Sequence, residues 1–229
     1  MLTARQATTS AAVSSQTSRS PSTAGLKSRA HCVGHLSDQI GGNRIYATHD
    51  SSNAVFHLGF GGPMSAHCFE QAIAAGVSNA LADGGAGSID PDFGQDEVLV
   101  VDRAIRDEGT SFHYLPSSRW VEFAPAEVDR VISELATRGI PGRPGATWTT
   151  DADFRETRAR IVRRRAEGCL TVEMEAASLA AVAIFRRVRY THVHYNGDDV
   201  HSAEWSAGSW TASGRRAQLL EAALTVAGN

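Results

Sequence analysis

Residues 54–75 read AVFHLGFGGPMSAHCFEQAIAA, and this stretch decides the fold. The apolar run at 54–58 predicts a strand, and Gly59-Phe60-Gly61-Gly62 follows as a tight turn. Pro63 suits the first helical position, where its missing N–H costs nothing. Residues 64–75 then read as a helix, with Phe69, Ala72 and Ile73 on its inner face and Gly76 as its stop. The alternation continues outward. Ile45-Tyr46-Ala47 precedes the stretch as a short strand. Residues 79–82 predict another strand, running into a second glycine loop, Asp83-Gly84-Gly85-Ala86-Gly87. Further strands are predicted at 98–101, 170–172 and 191–195, and helices at 125–138, 176–185 and 214–226. Such alternation means an α/β domain with a largely parallel sheet.

The whole chain of 229 residues, 42% of them hydrophobic, can bury a substantial core. A formal net charge of −3 excludes a broad nucleic-acid footprint, and no apolar run reaches the 18 residues of a membrane span. Cys32, Cys68 and Cys169 are too few and scattered for a disulfide framework, which points to reduced thiols and a cytoplasmic setting. Residues 1–30 hold no acid and little apolar bulk. They read as a disordered extension or an early start codon in preference to a transit peptide. Residues 31–229 are then expected to form one domain.

Three places carry residues suited to chemistry. Ligands of parallel α/β sheets bind at the carboxyl ends of strands, where both glycine loops are predicted; each is equally explained as a plain turn. The segment Val172-Glu173-Met174-Glu175-Ala176-Ala177 puts two carboxylates at a strand-to-helix junction. A carboxylate there can accept two hydrogen bonds from a vicinal diol, although acids at helix starts also occur without any ligand. The third place is Asn196-Gly197-Asp198-Asp199-Val200-His201, where the strand ends at Gly197 and two acids follow. An aspartate there with a raised pKa could hand a proton to a leaving group; an acid-rich turn is the plainer alternative. His192 and His194 share one strand face and, with Asp198, Asp199 and His201, could bind a metal, but packing in the core is preferred and no metal is expected.

These pieces together resemble the nucleoside phosphorylase family, which includes uridine phosphorylase, purine nucleoside phosphorylase and related nucleosidases. The resemblance spans residues 54–201. It rests on the loop Gly59-Phe60-Gly61-Gly62-Pro63, the second glycine loop, the stretch from Arg106-Asp107-Glu108-Gly109 to His113, Thr149-Thr150-Asp151, and the Val172–Ala177 signature. It implies a three-layer α/β/α fold whose central mixed sheet is partly barrel-like. It also implies cleavage of a nucleoside's N-glycosidic bond by phosphate, with inorganic phosphate as co-substrate and no other cofactor. By resemblance Glu175, Met174 and Glu173 bind the ribose, and Asp198, with Asp199 as second choice, protonates the base. That acid tilts the substrate toward a purine. Phe154, Asp153 and Val172 fall at the base, and a homodimer or higher homo-oligomer is implied.

The sequence departs from the family at the phosphate. The family's arginine before the second glycine loop falls on Ala82, the loop's hydroxyl residue on Gly85, and the serine after the first loop's proline on Met64. Arg106 and the backbone of Gly84 and Gly85 are the expected substitutes. Two alternatives stay open: a hydrolytic nucleosidase, and a nucleoside-binding protein without catalysis.

Overall fold

A computed structural model of the chain describes residues 9–14, 30–36, 43–49, 53–94, 96–202 and 213–228. Ten strands form one sheet. They are β1 (Thr9–Ser14), β2 (Ala30–Leu36), β3 (Asn43–Thr48), β4 (Asn53–His57), β5 (Val77–Ser88), β6 (Val98–Asp107), β7 (Trp120–Glu122), β8 (Gly142–Thr150), β9 (Cys169–Glu173) and β10 (Arg189–Asp199). Among the described residues five α-helices join them: α1 (Gly62–Ala74), α2 (Pro125–Thr137), α3 (Arg158–Ala166), α4 (Ala176–Arg186) and α5 (Ser213–Gly228).

The sheet runs β10-β6-β8-β9-β5-β1-β4-β3-β2 with β7 paired to β6 off this path, and β10 pairs with β5 as well as β6. That extra pairing closes β10, β6, β8, β9 and β5 into a ring, with β10 parallel to β5 and antiparallel to β6. The central sheet is therefore mixed and barrel-like at one end. α1 packs with α4, and α2 with α5, and both pairs rest on the sheet, giving helix, sheet and helix layers. Each helix buries the face its spacing dictates: Ser65, Ala66, Phe69 and Ala72 in α1, and Val128, Val131 and Leu135 in α2. α4 buries Ala176 through Ala183 without a break, which its small side chains allow, and ends where Arg187 turns left-handed at φ 60°. No helix among the described residues is long and apolar enough to cross a membrane.

Several expectations change. Residues 1–30 are not wholly a disordered extension, because Thr9–Ser14 pair in parallel with both β4 and β5. The rest of that segment before Ala30 lies outside the described residues. Gly84–Gly87 is no loop: β5 runs through it to Ser88, held by β10. β10 likewise continues past Gly197 to Asp199. β8 was hidden because Gly142, Pro144 and Gly145 read as turn residues; pairing with β6 and β9 on either side keeps them extended. α3 was hidden by its charge. It buries only Ile161 and Arg164, and Arg164 is fixed by ion pairs to Asp107 at 2.8 Å and Glu167 at 2.9 Å.

Candidate active site

The turn between β9 and α4 carries the two acids. Glu173 Oε2 accepts the backbone N–H of Glu175 at 2.7 Å and of Ala176 at 2.6 Å, and its Oε1 accepts the Thr149 hydroxyl at 2.6 Å. Glu173 thus caps α4; its oxygens are turned to the helix start and not to a sugar, which corrects its expected ribose role. Glu175 is the expected clamp residue of the pair. It is 6% exposed, and its Oε1 accepts the N–H of Gly61 at 2.6 Å. Gly61 sits at φ +79°, a conformation that favours glycine, so the first glycine loop presents that N–H to the acid. Burial raises both carboxyl groups above the usual range, and the charge of Glu175 adds to the rise at Glu173. Met174 lies half-buried between them.

A polar chain backs this turn. Gly62 lies against Ser178 and Thr110. The Ser178 hydroxyl donates to Glu108 at 2.7 Å, and Glu108 accepts the Ser111 N–H at 2.9 Å. Arg106 completes the chain: Nε donates to Ser111 Oγ at 2.8 Å, Nη1 to Pro116 O and Ser118 Oγ at 2.7 Å each, and Nη2 to Leu115 O at 3.2 Å. The guanidinium is buried and clamps residues 111–118, so its expected place on a phosphate is corrected. Arg106 is a positioning residue.

A cleft of about 730 Å³ opens beside the end of β10, lined by Asp153, Phe154, Glu156, Arg158, Asp198 and Val200 among others. The expected base-side residues Asp153 and Phe154 do meet Asp198 here, and Phe154 stands 96% exposed. Val172 is buried in the core and does not line the cleft, but it lies near Asp198: a methyl added at Gly87 would lie 3.1 Å from Val172 Cγ1 and 3.3 Å from Asp198 Oδ1. Glycine at 87 therefore lets β9 and β10 bring those two side chains together. Val172 is also the residue just before the Glu173–Glu175 turn, and like it Met174 and Glu175 are not walls of the cleft.

Asp199 does not act with Asp198. Its Oδ1 accepts the backbone N–H of His201 at 2.9 Å and of Ser202 at 3.1 Å. Burial opposes its ionisation, but the Ser202 and His201 contacts prevail and hold the carboxyl below the usual range. An acid that stays ionised cannot donate a proton at neutral pH, so Asp199 is a turn-forming residue. His192 and His194 do share a face, but they meet Glu173 and not Asp198, Asp199 or His201. Gly84 and Gly85 lie opposite His194 and Tyr195 in β10. On the other edge of β5, β1 pairs as far as Asp83 and β9 begins at Gly87, and among the described residues no strand pairs with 84–86 there.

Glu156 escaped the sequence. Burial, then the charges of Asp198 and Asp153, raise its carboxyl to about 7 against the pull of Arg160. Glu108 and Thr149 escaped too, since each matters only through partners distant in sequence. For Glu108 the one available signal was its place in the Arg106–His113 stretch.

The model of the phosphorylase superfamily matches residues 37–226. The chain belongs to this superfamily. The match agrees with the nucleoside phosphorylase resemblance of its motifs. Among curated superfamily relatives, a uridine phosphorylase of Treponema pallidum (strain Nichols) is 30% identical over 183 residues, 71% of this chain and 66% of that protein. The chain spans 58 to 66% of the length of the first curated relatives it matches. The fold is shared with purine nucleoside phosphorylase from Toxoplasma gondii in complex with immucillin-H. That structure has a TM-score of 0.78 at 14% identity, covering 96% of this chain and 89% of that one. Futalosine hydrolase of Helicobacter pylori strain 26695 gives 0.76 at 19% identity, covering 96% and 99%.

Proposed function

We propose that this chain is a nucleoside phosphorylase, passing the pentosyl group of a nucleoside with a purine-like base to inorganic phosphate. The observation that carries the reading is the acid pair in the cleft. Asp198 shares it with Glu156, whose carboxyl is raised to about 7, and Phe154 stands exposed at its edge as a stacking surface. A departing purine leaves more easily when its imidazole nitrogen is protonated, and an acid that keeps its proton near neutral pH can supply it. The bond from C1′ to the base breaks, its electron pair goes to the base with that proton, and a phosphate oxygen bonds C1′. Glu175 accepts the hydrogen bonds of the ribose diol, Met174 lies under the sugar, and Asp153 flanks the base. The similarity to a uridine phosphorylase supports phosphate as the acceptor, and the backbone N–H groups of Gly84 and Gly85 are its expected donors.

A second reading has water replace phosphate. It is favoured by Arg106, whose guanidinium is spent on residues 111–118, and by Ala82 in place of an arginine. The deciding measurement is release of free base from inosine, adenosine and uridine, with and without phosphate. Purine nucleoside turnover that requires phosphate is expected, and Asp198→Asn should lower it roughly 100-fold. Equal rates without phosphate would replace phosphorolysis by hydrolysis. Turnover of uridine alone would remove the purine preference, and binding without base release would remove the enzyme reading.

A further inference from the structure

The proposed chemistry leaves one buried polar group unused. Glu173 ends β9, and His192 and His194 alternate along β10 with their rings 4.6 Å apart. One donor atom from each of the three lies within 4.8 Å of the other two. All are shut off from solvent: both histidines are 1% exposed and Glu173 is 8% exposed.

The hydrogen bonds around the group fix how it presents itself. The Thr171 hydroxyl gives its hydrogen to Thr147 Oγ1 at 2.9 Å, so toward His194 Nδ1, 3.2 Å away, Thr171 Oγ1 accepts. The hydrogen of the His194 ring is then on Nδ1, and Nε2 keeps its lone pair. That Nε2 is buried with no hydrogen-bond partner. An acceptor left so in a dry interior is costly unless something electron-poor meets it. His192 Nδ1 lies 2.9 Å from the Tyr190 hydroxyl, which can accept its ring hydrogen when Nε2 binds an ion. The Glu173 oxygens, though hydrogen-bonded to α4 and Thr149, retain lone pairs, since each carboxylate oxygen has two.

We propose that Glu173, His192 and His194 bind one divalent transition-metal ion, with zinc the best match to their donors. Two imidazoles and a carboxylate are a zinc donor set, whereas magnesium and calcium favour oxygen alone. The contact from His194 Nδ1 to Thr171 is the outer-shell support that ligating histidines use to fix their tautomer. The ion ties the end of β9 to β10 and braces the turn that carries Glu175. It is a structural ion, with no part in the glycosidic step.

The test uses the full-length protein, stripped with a chelator and titrated with Co²⁺ and then Zn²⁺. One equivalent of Co²⁺ per chain is expected, with visible ligand-field bands that Zn²⁺ displaces and a raised thermal midpoint. His194→Gln should abolish the bands. Thr171→Val, which keeps every ligand but removes the acceptor at Nδ1, should weaken binding about 10- to 100-fold. No uptake by the unmodified chain, or uptake undiminished in His194→Gln, would overturn the site. Should His194→Gln fail to fold, unaltered affinity in Thr171→Val does the same. None of these readouts uses nucleoside turnover, so the result stands apart from the glycosidic reading.

Discussion

Glu156 is an acid at neutral pH because two costs fall on its charged form. Its carboxyl loses water at the wall of the cleft, and Asp198 and Asp153 bring further negative charge, against Arg160 alone. The sign follows directly. A carboxyl raised to about 7 is protonated below that pH and loses its proton above it. As a donor to the leaving base it therefore serves below about 7, and kcat should fall as pH rises through that value. Glu156→Gln should lower kcat roughly 100-fold near neutral pH and remove this alkaline limb. The same substitution should raise the thermal midpoint above pH 7, because it deletes a charge the fold disfavours. A kcat profile with its alkaline limb intact in the variant would move the proton to another group. Glu175 was legible as a candidate because its neighbours Val172, Met174 and Ala176 form one contiguous pattern. Glu156 was not, because its pKa exists only after the turn at Asp153–Arg155 meets a strand some forty residues later in the chain.

At the scale of elements, the two glycine runs look alike in sequence and do opposite things. Gly59-Phe60-Gly61 is a true loop leading into α1 at Gly62, and its Gly61 combines a φ of +79° with an N–H given to Glu175. Gly84 to Gly87 is strand, extended because β10 pairs with it. Glycine is informative at a turn through its dihedral freedom and in a sheet through its missing side chain, and composition does not distinguish the two. Gly61→Ala separates them experimentally. A side chain at φ 79° and ψ 159° costs about 1–3 kcal/mol, which the thermal midpoint would register. If the loop shifts to relieve it, Glu175 loses its N–H donor, and KM for the nucleoside should rise several-fold. A lowered midpoint with an unaltered KM would mean that Glu175 keeps its position without Gly61.

The closed ring of strands is a property of the whole chain that no local stretch could state. It depends on β10 reaching both β5 and β6, while the sheet beyond the ring depends on β1, whose Thr9–Ser14 lie in a segment that its average composition marks as unstructured. A six-residue strand needs only neighbours to pair with, and those are supplied by β4 and β5 from later in the chain. The same global view exposes one surface that the fold does not cover. Phe60, Phe112 and Phe185 are all exposed, and they come from the first glycine loop, the turn at Thr110–His113 and the end of α4. Gly62 lies against Thr110, and Tyr114 stands edge-on to Phe185 at 5.7 Å, so the three belong to one side of the molecule. A cleft of about 540 Å³, lined by Pro63, His67, Glu70 and Tyr114, opens on that side. Exposed aromatic side chains on elements that neighbour a recess are costly to leave in water, and a second copy offering the same surface would cover both. Light scattering on the eluting protein should therefore give at least twice the 24.4 kDa of one chain. Phe185→Glu should shift it toward a single chain while the far-UV circular dichroism stays as it was. A wild-type protein that elutes as one chain at micromolar concentration would show that this surface has no self-association to perform.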